Sequence, residues 1–168
     1  MIITLTGFMG CGKSSVGRCL SELLCCPFMD LDAVIEESQG RSIPDIFASE
    51  GEAAFRQMEV EALSRIIETQ QLRGNVVVAL GGGAVMTPEC AELVRKKTHC
   101  IYLRASVDTL VSHLENEAAG RPMLQGASLR SRIEELMALR SSTYEATAHD
   151  VIDTDGKTVE EVAAEIKF

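Results

Sequence analysis

The segment Gly7-Phe8-Met9-Gly10-Cys11-Gly12-Lys13-Ser14 carries glycine, lysine and hydroxyl side chains at the spacing G-x4-G-K-[ST]. That spacing suits an anion. Glycines let backbone N–H groups turn inward around a phosphate, and a helix beginning near Lys13 adds its positive dipole end. Lys13 is then positioned to span the β- and γ-phosphates of a nucleoside triphosphate, and the Ser14 hydroxyl to ligate Mg²⁺. The expected nucleotide contacts are Gly10, Cys11, Gly12, Lys13, Ser14 and Ser15. Cys11 could be activated by the helix dipole, so that its alkylation would block the nucleotide; equally, it is a small inert filler of a variable position. Two further groups have the types that chemistry uses: Asp30 and Asp32, and the run Gly81-Gly82-Gly83.

The elements that must hold these residues alternate in type. Residues 2–6 are apolar and β-branched, a buried strand ended by Gly7. Residues 13 to about 25 have helical period, with Val16, Leu20, Leu23 and Leu24 on one face. A short strand follows at 28–30, and Asp32 stands where an N-cap would precede the next helix. Ser42-Ile43-Pro44 reads as another helix start, with Pro44 near its first position and Asp45 in its first turn, and a long acidic helix runs from about 51 to 69. Residues 75–80 are the clearest buried strand, with further strands at 100–104 and 151–153. The expected fold is therefore α/β: a five-stranded parallel sheet with helices on both faces, in three α/β/α layers. Such sheets bind ligands at the carboxyl ends of their strands. Those ends carry Gly7–Ser14, Asp30 with Asp32, and Gly81–Gly83, so three candidate elements share one rim.

The 168 residues fit one domain, and 46% hydrophobic with 24% charged residues excludes a disordered chain. No apolar run approaches the roughly 20 residues of a membrane span, and no positive segment precedes the short apolar N-terminus, so a cytoplasmic location is expected. A net charge of −9 argues against nucleic acid or an anionic membrane as partner. It also means that an anionic substrate must be held by local arginines. The six cysteines have neither zinc-ligand spacing nor the density of a disulfide scaffold and read as free thiols.

Beyond the phosphate loop, the ordered set of motifs resembles shikimate kinase. It comprises Gly7–Ser14, Asp30-Leu31-Asp32, Ile43-Pro44-Asp45-Ile46-Phe47 and Gly51-Glu52 with Phe55-Arg56 and Glu59. Gly81-Gly82-Gly83-Ala84-Val85, Arg121-Pro122-Met123-Leu124 and Arg140 with Tyr144 complete it, spanning nearly the whole chain. The resemblance implies a P-loop kinase fold, ATP and Mg²⁺ as cofactors, shikimate as the small-molecule substrate, and a monomer. It implies catalytic roles for Lys13, Asp32 and Arg121, and Mg²⁺ contacts for Ser14 and Asp30, the latter through water. Asp32 would hold the acceptor hydroxyls, while Arg56 and Arg140 would clamp the substrate carboxylate. Guanidinium forks suit that task because they bind a carboxylate bidentately, where lysine offers a point charge. Glu59, three residues beyond Arg56, would orient it. Gly81, Gly82 and Gly83 would let the backbone approach the substrate ring, unless they serve only a tight turn needing positive φ. Residues about 31–62 would form the substrate-binding helical region. The small, polar segment at about 115–128 would be a lid carrying Arg121 to the phosphates.

Two positions depart from the family pattern. His113 stands where many members carry an arginine that stacks on adenine, and an imidazole stacks more weakly when neutral. The loop 153–157 lacks an arginine often found near there. Alternatives are another small-metabolite kinase of this fold, such as a gluconate or nucleoside monophosphate kinase, or a non-catalytic nucleotide-binding regulator. The complete set Lys13, Ser14, Asp32 and Arg121 weighs against the last.

Overall fold

The computed structural model describes residues 1–115 and 128–167. Five strands, β1 (Ile2–Thr6), β2 (Phe28–Asp30), β3 (Val76–Ala79), β4 (His99–Arg104) and β5 (Asp150–Asp153), form one parallel sheet in the order β2-β3-β1-β4-β5. Helices α1 (Lys13–Leu23), α2 (Leu31–Gln39), α3 (Ile43–Gln70), α4 (Pro88–Lys97), α5 (Val107–Leu114), α6 (Leu129–Thr147) and α7 (Val159–Glu165) alternate with them. The expected α/β sheet with five parallel strands is what forms.

Its register explains the shared rim. Leu5 pairs with Ala79, and Ala79 with Asp30, so β1, β3 and β2 end level. Gly7, Gly81 and Leu31 each follow within two residues of that line. Every residue of β1 and β3 is buried, and all but Thr4 and Thr6 are apolar. Two apolar cores result, one on each sheet face. The first packs α2, α3 and α4 through Leu31, Ile46, Leu63 and Val94. The second packs α1, α5 and α7 through Val16, Leu20, Leu110 and Val162.

Local chemistry sets the ends. Ser42 caps α3 by accepting from the Asp45 N–H, with Pro44 in the first turn. Within α3, Gly51 has φ +86 and ψ 173, a break that splits the segment in two and matches the separate helix expected from residue 51. Three expectations are corrected. Asp30, not Asp32, caps α2: its Oδ1 accepts from the Ala33 N–H at 3.2 Å, because β2 runs into the helix with no loop between them. Leu23, the last residue of α1, is 62% exposed and leaves the core to Val16 and Leu20, with Leu24 partly buried against it. The three glycines after β3 do not adopt positive φ; their need for glycine has another cause, described below.

Candidate active site

The level strand ends open into one cleft of about 590 Å³. Gly10, Gly12, Lys13, Ser14, Ser15, Asp30, Asp32, Arg56, Gly81, Gly82, Gly83, His113 and Arg140 all line it, together with Glu59, Phe47 and Phe55. Cys11 does not. Its side chain is buried among Phe8, Val16 and Leu103 beneath the loop, so the expectation of an alkylatable thiol is corrected. Arg121 and residues 116–127 of the expected lid lie outside the described residues.

On the nucleotide side, Gly7, Gly10 and Gly12 hold φ of +145, +83 and +93, conformations that side chains avoid, which gives the loop its inward turn. Lys13 Nζ donates to the carbonyls of Gly7 at 2.7 Å and Phe8 at 3.0 Å, folding back over the loop. Ser14 Oγ donates to Asp30 Oδ2 at 2.8 Å. The one carboxylate thus caps α2 with one oxygen and meets the loop hydroxyl with the other. Among the described residues no cluster of three His, Cys, Asp or Glu side chains could cage a metal ion. A hydroxyl beside one carboxylate fits Mg²⁺, which keeps several waters and takes the rest of its ligands from phosphates.

The other half of the cleft is a buried set of charges. Glu59 has no exposure, and its Oε1 accepts from Arg56 Nη1 at 2.7 Å. Glu52 holds the same guanidinium from the solvent side at 3.0 Å. Burial pushes the Glu59 carboxyl up to about 7, against the pull of Arg56 and with added repulsion from Asp32. Burial also opposes charge on Arg56, but Glu59 and Glu52 more than offset it and hold the guanidinium ionised. Arg140 is 4% exposed, and its Nη1 has no hydrogen-bond partner among the described residues. It stands over the Phe8 ring, 5.9 Å from the centroid.

The glycine run packs against all of these. A methyl on Gly81 would stand 2.8 Å from Asp32 Oδ1 and 2.9 Å from Glu59 Oε2, and one on Gly82 would stand 3.3 Å from the Met9 backbone nitrogen, with Arg140 Nη1 at 3.6 Å. A methyl on Gly83 would run into the Arg56 guanidinium. Space, not backbone conformation, is what requires glycine here. Tyr144 Oη donates to the Gly82 carbonyl and pins the run from α6. That contact was visible in sequence only as Tyr144 recurring four residues after Arg140, one helical turn along the same face. His113 Nδ1 lies 2.7 Å from the Gly10 carbonyl oxygen. In the loop after β5, Asp153 is bound by Arg104 and Asp155 accepts from the Ser106 N–H.

A phosphate loop on the central strand of a parallel sheet, opening on a cleft that holds two arginines among carboxylates, makes this chain a P-loop kinase acting on a small molecule. Comparison with known proteins narrows that class. The family model for shikimate kinase matches residues 9–167. A shikimate kinase of Thermus thermophilus is 42% identical over 164 residues, covering 98% of this chain and 86% of that one. One from Geobacter metallireducens is 44% identical over 164 residues, covering 98% and 88%. Among solved structures, shikimate kinase from Acinetobacter baumannii in complex with shikimate superposes with a TM-score of 0.91 at 33% identity, covering 98% of this chain and 89% of that one. The chain belongs to the shikimate kinase family. A gluconokinase from Sinorhizobium meliloti, at 20% identity and a TM-score of 0.53, shares the fold alone.

Proposed function

We propose that this chain transfers the γ-phosphoryl group of ATP to the 3-hydroxyl of shikimate, giving shikimate 3-phosphate and ADP, a step of aromatic amino-acid biosynthesis. The observation that carries this reading is Arg140: a guanidinium buried to 4% exposure whose Nη1 has no hydrogen-bond partner among the described residues, in a cleft shared with Arg56. A buried guanidinium nitrogen without a hydrogen bond is costly, and a ligand carboxylate relieves that cost. Shikimate supplies a carboxylate and ring hydroxyls on a frame small enough for this cleft.

The roles follow from placement. Arg56 and Arg140 bind the carboxylate, and Glu59 orients Arg56. Asp32, beside Gly81, accepts from the hydroxyls and orients the attacking oxygen; phosphoryl transfer needs alignment of the nucleophile more than a strong base. Gly81, Gly82 and Gly83 let the ring lie against backbone. Backbone N–H groups of the loop, Gly10 to Ser15, hold the phosphates. Lys13 exchanges its loop carbonyls for phosphate oxygens, and Ser14 with Asp30 would hold Mg²⁺, which when bound neutralises charge on the β- and γ-phosphates. Arg121 offsets charge developing on the transferring group, a role that rests on the family resemblance.

An ADP-release assay offering shikimate, gluconate and CMP tests the acceptor. Shikimate should give the only substantial turnover; faster turnover with gluconate overturns the reading. No helix among the described residues is long and apolar enough to cross a membrane.

A further inference from the structure

The last turn of α5 meets the phosphate loop at Gly10 through two neighbouring residues. Gly10 has φ +83, and Leu114 lies so near its α-carbon that a methyl there would stand 2.7 Å from Leu114 Cγ. The preceding residue, His113, brings Nδ1 to 2.7 Å from the Gly10 carbonyl oxygen. A carbonyl oxygen only accepts, so Nδ1 carries the hydrogen. The N–H of the same peptide, on Cys11, donates to the Phe8 carbonyl at 3.2 Å. Both ends of the Gly10–Cys11 peptide plane are thereby held.

This matters because glycine resists a peptide flip so weakly. A loop that cradles an anion must keep its carbonyls turned away, since one rotated inward would face the phosphate with a negative dipole. Lys13 bonds the carbonyls of Gly7 and Phe8 only until it turns to the phosphates, so it cannot hold them once the nucleotide is bound. His113 holds that of Gly10, the next along the loop to be bonded by a side chain.

We propose that His113 is a positioning residue for the nucleotide, acting through an Nδ1–H latch on the Gly10 carbonyl and not by stacking on the base. The proposal rests on the loop being the nucleotide site. A loop that spends part of its time flipped binds more weakly in proportion to the competent fraction lost.

Two substitutions separate latch from stack. The amide nitrogen of asparagine reaches about where Nδ1 stands, whereas phenylalanine keeps a flat ring and no donor. ADP affinity, measured by calorimetry with no acceptor present, should stay within about twofold in His113→Asn. It should weaken roughly three- to tenfold in His113→Phe, the range expected for one modest hydrogen bond. The reverse order, or equal affinities in the two variants, overturns the proposal. Nitrogen-15 NMR of the ligand-free wild type at about pH 8.5, above the ordinary histidine range, gives a second reading. His113 should appear as the Nδ1–H tautomer, assigned by its loss in His113→Asn; an Nε2–H tautomer also overturns the latch. ADP that fails to bind the wild type defeats the nucleotide reading itself, whereas a failure of shikimate alone in the acceptor panel leaves the latch standing.

Discussion

Glu59 is the residue whose environment conflicts most with its charge. Its carboxyl is raised from 4.5 to about 7, chiefly by burial. The folded protein therefore holds a proton there that the unfolded chain has released. Stability from this group is full below about pH 4.5 and is lost as pH rises through about 7, an effect of up to about 3 kcal/mol. Urea unfolding of wild type and Glu59→Gln at pH 5 and pH 8 checks it. The wild type should lose more stability than the variant across that interval, and parallel losses would rule the titration out. Arg56 answers to geometry. Replacing it with lysine keeps the charge but forfeits the fork, so KM for shikimate should rise roughly ten- to a hundredfold with kcat less affected. An unchanged KM would remove Arg56 from the clamp. Individual residues of the site were legible in sequence when their chemistry was local. Gly7–Ser14 declares its loop, and Arg56 with Glu59 is a helical neighbour pair. Cys11 was misleading because a motif reports backbone shape and not which way a side chain turns. Asp30 took the cap expected of Asp32 because nothing in the sequence says that β2 and α2 share a junction without a loop.

At the scale of elements, two glycines explain why the same residue type is needed for unlike reasons. Gly51 breaks α3 with φ +86, and nothing lies within 4 Å of where its side chain would be. Alanine there meets only backbone strain, about 1–2 kcal/mol. Gly81 has ordinary φ but touches Asp32 and Glu59. Gly51→Ala should lower the urea midpoint while kcat/KM for shikimate stays within about twofold; Gly81→Ala should cut kcat/KM more than tenfold while ADP affinity holds. Reversal of that pattern would contradict the packing described here. The strands were read to within a residue or so, most clearly β1 and β3, which are buried throughout and so carry runs of apolar and β-branched residues. The glycine run lines the cleft, but it lacks the positive φ expected of a tight turn. Its constraint comes from Asp32 of α2, Arg56 and Glu59 of α3, and the Met9 backbone of the phosphate loop, and no local pattern encodes neighbours that distant in sequence.

At the scale of the molecule, the sheet separates two cores. One backs the elements that face the acceptor, the other those that carry the nucleotide loop. Binding to one half should therefore quiet one layer first. Hydrogen exchange should show shikimate protecting amides of α2 and α3 more than those of α1 and α5, and ADP doing the opposite; uniform protection by either ligand would mean that the layers respond as one body.

One helix belongs to both. Ile133 and Leu136 of α6 pack in the nucleotide-side core and Tyr144 in the other, with Arg140 between them in the cleft. Leu136, Arg140 and Tyr144 recur every fourth residue, so the distance from one core to the other is counted in whole helical turns. α6 is thus a gauge as well as a scaffold. A single residue inserted after Leu136 would swing Arg140 about 100° around the axis and lift it by about 1.5 Å, leaving either Tyr144 or Leu136 out of its core. The number of residues between Leu136 and Tyr144 thus constrains the cleft as directly as the side chains that line it.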